Sequence, residues 1–127
     1  MTIKMYEIIN FNYFYNEIKT AKLPFKVLFK LSSLAKAIDE KTEFYREKIQ
    51  EILHEYGEHD EQGNLIPTED GNGIKLTPGS EAECAAKVNE LQMIDVELPN
   101  ISFTIEEFDG IEMTMEIFNL IQPFVIE

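Results

Sequence analysis

The 127-residue sequence predicts an α+β fold: an antiparallel helical hairpin with one long heptad-patterned helix, a third helix and a small antiparallel β element, in a single domain spanning 1–127. Three observations carry that prediction. Apolar positions recur at steps of three and four from Leu28 to Tyr56, with no Gly or Pro among them. Residues 58–80 then turn to Gly, Asn, Asp and Pro, with short apolar pieces between. Nine Phe and five Tyr give a heavily charged chain enough apolar surface to build a core, which argues against global disorder.

The first helix is expected over 6–22. Ile8, Phe11, Tyr15 and Ile18 share one helical face and Phe14 widens it. Lys19 and Lys22 suit its C-terminal end, and Pro24 disfavours helical geometry at Leu23. The long helix is expected over 25–57. Its seam reads Leu28, Leu31, Ala35, Ile38, Thr42, Tyr45, Ile49, Ile52 and Tyr56, a coiled-coil-like heptad pattern, with Gly57 placed as a C-cap glycine. The first helix is too short to cover all of it, so Leu28 to Ile38 fall to helix one and Tyr45 to Tyr56 to helix three.

A β-hairpin is expected over 64–76, where Leu65-Ile66 and Ile74-Lys75-Leu76 flank a turn and Pro67 keeps its strand on an edge. Ser80 is placed to cap a third helix over 80–93, with Glu81 and Glu83 in its first turn. Ile94 to Leu98 alternate apolar and acidic residues, the period of a strand over 94–98. Thr104 can cap a single turn through Phe108, and Thr114 a short terminal helix over 114–121 closed by Pro123. Phe118, Ile121, Phe124 and Val125 should dock that terminus on the body.

Charge is divided along the chain. Residues 1–42 hold seven Lys against four acids, a net of +3. Residues 43–127 hold Arg46, Lys48, Lys75 and Lys87 against twenty acids, a net of −16. A block so acidic repels nucleic acid and anionic lipid and attracts basic protein surfaces. The partner expected is therefore a protein with a basic surface, with no direct nucleic-acid or membrane binding and with homo-oligomers open. No run reaches the ~20 apolar residues of a membrane span. The single Cys excludes an intrachain disulfide and fits a reducing compartment.

Catalytic and metal motifs fail one by one. Glu51, His54, Glu55 and Glu58 have helical spacing, but a helical Glu-x-x-His metal site needs a second such pair, and neither other helix carries a His. The acids are better read as a solvated face. Counted from Asp60, the calcium-loop positions six and twelve are Leu65 and Gly71, so turn chemistry explains that stretch. Cys84 sits among acids and reads as a small buried filler. The aromatics Tyr6, Phe11, Tyr13, Phe14 and Tyr15 read as core with an exposed Tyr or two, since a stacking platform needs a strongly basic groove. No catalytic residue, metal ligand or cofactor is expected, and the enzyme class is disfavoured.

The order of elements carries a resemblance. Leu23-Pro24-Phe25-Lys26-Val27, then Glu55-Tyr56-Gly57-Glu58, Asp60-Glu61-Gln62-Gly63-Asn64, Val96-Glu97-Leu98 and Ile121-Gln122-Pro123-Phe124-Val125 resemble uncharacterised small proteins of tailed bacteriophages, mainly of Gram-positive hosts. The resemblance implies a viral origin, a host-cytoplasmic or virion location, and a helical hairpin with a β element. It brings no activity and no functional residues.

The function expected is a non-enzymatic accessory protein that binds its partner through Glu43, Glu47, Glu51, Glu55 and Glu58. Steps of four place the first four in a row on one helical face, where carboxylates can stand in for phosphates. An inhibitor of a nucleic-acid-handling host defence effector, of anti-CRISPR or anti-restriction type, is the concrete form. The alternative is a virion component or a tail or head assembly accessory.

Overall fold

The computed structural model describes residues 1–126; Glu127, the last residue of the expected domain, lies outside them. The architecture is α+β. In chain order it runs β1 (Thr2–Lys4), α1 (Met5–Ile18), α2 (Phe25–Tyr56), α3 (Glu81–Gln92), β2 (Asp95–Glu97), β3 (Phe103–Thr104), a 3-10 turn (Ile105–Phe108), α4 (Met115–Asn119), a second 3-10 turn (Gln122–Phe124) and β4 (Val125–Ile126). These group into two compact units, one of residues 1–42 with 95–126 and one of residues 43–94.

In the first unit, α1 starts where the Glu7 carboxylate accepts the backbone N–H of Lys4 at 2.9 Å, satisfying a donor at the helix start. It buries Met5, Ile8, Phe11, Phe14 and Ile18 and ends four residues before the expected boundary at 22. Phe14, expected only to widen the stripe, is fully buried, while Tyr15 is half-buried and stacks on Phe11. Asn12 holds α1 to α2, its amide donating to the Thr42 hydroxyl at 2.8 Å. That hydroxyl donates in turn to the Ile38 carbonyl, so the buried Thr42 is satisfied.

The buried stripe of α2 corrects the expected seam at two positions. Val27, Leu31, Leu34 and Ile38 are buried, whereas Leu28 is 38% exposed and Ala35 half-buried. Counted from Val27 to Tyr56 the stripe repeats every ~3.6 residues, the period of a straight helix, where a supercoiled seam needs 3.5. The expected pattern had the right phase in the middle and drifted off it toward the start.

The C-terminal segment completes this unit's core. Rings meet at Phe11–Phe124, Phe14–Phe108, Phe103–Phe108 and Phe108–Phe118, with centroids 5.5–6.2 Å apart and mostly edge to face. Ile121 and Phe124 are buried, which docks the terminus. β1 pairs antiparallel with β2, and β3 parallel with β4. Lys30 reaches into the same layer, donating to the Ser102 carbonyl at 2.9 Å and to Glu107 at 2.8 Å beneath the Phe103 ring. Glu107 also accepts the Thr104 N–H, so it is this carboxylate that satisfies the start of the 3-10 turn. The Thr114 hydroxyl caps α4 by accepting from the Ile117 N–H.

In the second unit, α2 continues to Tyr56 and α3 runs antiparallel beside it. Gln92 reaches the Tyr45 hydroxyl at 3.4 Å, Phe44 and Lys48 share a shallow recess with Lys87 and Leu91, and Ser80 lies at the Tyr56 carbonyl. The Ser80 hydroxyl does not cap α3; it donates to the Thr77 carbonyl at 2.6 Å.

The expected hairpin over 64–76 is three short segments joined by single bridges, Gly57↔Leu76, His59↔Leu65 and Pro67↔Ile74, so each segment pairs with the other two. Gly57 is a glycine for space and not for a left-handed backbone. A Cβ there would lie 2.5 Å from the Leu53 carbonyl oxygen and 2.6 Å from Leu65 Cδ2. Positive φ falls instead at Gly63 and Gly71, in the two turns.

Candidate functional site

The acidic row is built by the second half of α2. Glu43, Glu47, Glu51 and Glu55 are all exposed. Steps of four residues drift about 40° around a helix, so the four carboxylates span about 120°. They are centred opposite Tyr45, Ile49, Ile52 and Tyr56, the side turned to the unit's interior. The row faces solvent because the apolar stripe fixes the helix rotation.

Two of the four have cations. Arg46 Nη1 lies 3.1 Å from Glu43 and Lys48 Nζ 3.2 Å from Glu51, both exposed pairs at i,i+3 worth at most a few tenths of a kcal/mol. Glu47 and Glu55 have no ion pair among the described residues. The unit as a whole holds twelve acids against Arg46, Lys48, Lys75 and Lys87, a net of −8.

Glu58 is not part of the row. It follows Gly57, beyond the helix end, where its N–H donates to the Lys75 carbonyl at 2.8 Å. Its half-buried carboxylate lies 3.5 Å from Lys75 Nζ. The break after Tyr56 turns the chain into the bridged segments, so helical spacing no longer governs position 58.

The remaining candidate chemistry resolves into local structure. His54 Nδ1 and His59 Nε2 are 3.2 Å apart, with ring centroids at 5.5 Å and planes 21° apart. The nitrogens therefore meet almost along the line joining the rings, one donating a proton and one accepting it. The nitrogen that carries the shared proton has no lone pair to give a metal ion, and the other is already accepting it. Among the described residues no group of three or more His, Cys, Asp or Glu is placed to hold one.

The Asp60 carboxylate accepts the N–H groups of Gln62 and Asn64, both at 2.9 Å, and so closes its own turn. Asp70 does the same for the second turn, with the Thr68 hydroxyl and the Asn72 N–H, which hold its carboxyl below the usual range. Cys84 is buried. Burial pushes the Tyr56 phenol above its ordinary range, and neighbouring Glu55 and Glu83 add to the rise. Among the described residues no helix is long and apolar enough to cross a membrane.

The sequence reading passed over two residues with unusual exposure. Phe25 is 89% and Phe29 74% exposed at the start of α2. Both lie out of phase with the buried stripe from Val27, which differs from the seam expected from Leu28, so the expected phase hid Phe25. Comparisons with protein-family models, curated proteins and solved structures found no match to this chain.

Proposed function

We propose that this chain is a non-enzymatic accessory protein, of the phage type its sequence resembles, that binds a basic protein surface through Glu43, Glu47, Glu51 and Glu55. The observation that supports this reading is the row itself, four exposed carboxylates of which two, Glu47 and Glu55, have no ion pair among the described residues. In its concrete form the partner is a nucleic-acid-handling host defence effector met in the host cytoplasm, whose phosphate-binding groove the row enters. Charge spacing sets the strength of such mimicry. The row offers one carboxylate every ~6 Å of axis, against one phosphate every ~3.4 Å of a DNA strand. Binding through these exposed charges weakens as salt screens them.

The test is capture of a basic partner from host lysate at rising salt. Retention at ~0.1 M that is lost by ~1 M supports electrostatic binding, and a partner held unchanged at ~1 M counts against it. A virion or assembly role is the second reading, favoured by Phe25 and Phe29, which suit a contact between subunits. Mass spectrometry of purified virions separates the two, since an accessory inhibitor is absent from the particle.

A further inference from the structure

The face of α2 opposite its buried stripe within the first unit carries Phe25, Phe29, Ser32, Lys36 and Asp39, at steps of four, three, four and three. All five are exposed, and the first two protrude as nearly bare rings. The other end of the same face holds a shallow recess lined by Tyr15, Ser32, Ala35, Lys36 and Asp39. Ser32 lies midway. Phe25 and Asp39 are seven residues to either side of it, and Phe29 and Lys36 three and four. Knobs and recess are thus related by reversal of the helix about one small residue.

We propose that this face is a two-fold interface with a second copy of the chain, the α2 helices crossing antiparallel at Ser32. A contact of this kind must be self-complementary, each patch meeting its own counterpart reversed. Reversal about Ser32 lays Phe29 on the aliphatic stem of the other copy's Lys36 and Phe25 at the mouth of its recess. The charges reverse with it: Lys26 comes within a turn of Asp39 and Glu40 of the second copy. Neither Lys26 nor Asp39 has an ion pair within its own chain among the described residues.

An anionic lipid surface fits this face less well than a second copy does, because Lys26 and Lys36 are accompanied there by Asp39 and Glu40, which a lipid phosphate would repel and a reversed copy can pair. The two rings expose roughly 300 Å² per copy, which with the surface they cover approaches ~1,000 Å² in total. That is the lower end for a specific interface, so the dimer is weak and concentration-dependent. The proposal uses residues outside the acidic row and stands or falls independently of it.

Cross-linking at the axis tests it. Packed helices 8–10 Å apart bring facing Cα atoms to ~4–5.5 Å, within the span of a disulfide. In a Cys84→Ser background, Ser32→Cys should oxidise to a covalent dimer as the main product, while Gln50→Cys, also on exposed α2 surface, should not. Sedimentation of the native chain should show mass rising from 14.7 kDa toward twice that between ~10 µM and ~1 mM. Phe25→Ala with Phe29→Ala should hold it at the monomer. Lys26→Glu should weaken association about three- to ten-fold, and adding Asp39→Lys should restore it. Equal cross-linking at positions 32 and 50, a constant monomer mass to ~1 mM, or association that survives loss of both rings would overturn the interface.

Discussion

The two units divide the labour of the molecule unequally. Among the described residues, sixteen of the buried apolar side chains belong to the first, and only Tyr56, Cys84 and Leu91 to the second. The first is held by long-range packing of aromatic rings. The second is held by one helix pair, three single bridges and turn hydrogen bonds, under twelve mutually repelling carboxylates. A thin core and dense charge make that unit the less stable of the two, and the acidic row lies on it. Local opening free energies follow buried contacts, so its amides should exchange faster than those of the first unit.

Substitutions can break this contrast in order of expected size. Phe103→Ala removes a fully buried ring that packs on Phe108 and should cost about 3–5 kcal/mol, read as a loss of global stability in denaturant titration. If the second unit carried the stability, this change would be mild and Leu91→Ala severe. Gly57→Ala forces a Cβ against the Leu53 carbonyl and should cost about 1–3 kcal/mol, with faster amide exchange confined to residues 43–94.

Glu107→Gln tests an electrostatic element of the first unit. Lys30 and the Thr104 N–H hold the Glu107 carboxyl below the usual carboxylate range, although burial acts the other way. A carboxyl lowered on folding stabilises the protein fully above its unfolded value near ~4.3. That contribution is lost as pH falls through the lower folded value. The variant should lose about 1–3 kcal/mol at pH 7 and unfold with a shallower dependence on acid, measured by thermal melts from pH 7 down to 3.

At the small end, Glu47→Gln with Glu55→Gln should change stability by no more than about 0.5 kcal/mol, in either direction, in the same melts. Their side chains are exposed and without ion pairs, so a larger loss would mean that the row is structural.

What could be read from the chain follows the range of the interactions involved. The long helix was legible because its apolar stripe and its lack of Gly and Pro are local facts. Val27 and Leu34 were missed in favour of Leu28 and Ala35 because a heptad template drifts by about 20° per repeat from a straight helix. Thr114 as a cap was legible for the same local reason. Ser80 was not, since its hydroxyl turns to Thr77 through a contact that only the folded turn creates.

The pairing of Thr2–Lys4 with Asp95–Glu97 joins segments far apart in sequence, and no local period announces it. The exposed helical face shared by Glu43, Glu47, Glu51 and Glu55, the row proposed for binding, was legible from helical spacing. Glu58 was not, because the close approach at Gly57 that ends the helix depends on Leu65, from a later segment.

The most direct measurement compares the native chain with a variant carrying Gln at positions 43, 47, 51 and 55, in binding to the captured basic partner at ~0.1 M salt. Unchanged far-UV circular dichroism would establish that the variant remains folded. The row as binding surface predicts that affinity falls at least ~100-fold and that the remaining binding loses most of its salt dependence. Affinity within about two-fold of the native chain, with the salt dependence retained, would contradict the assignment.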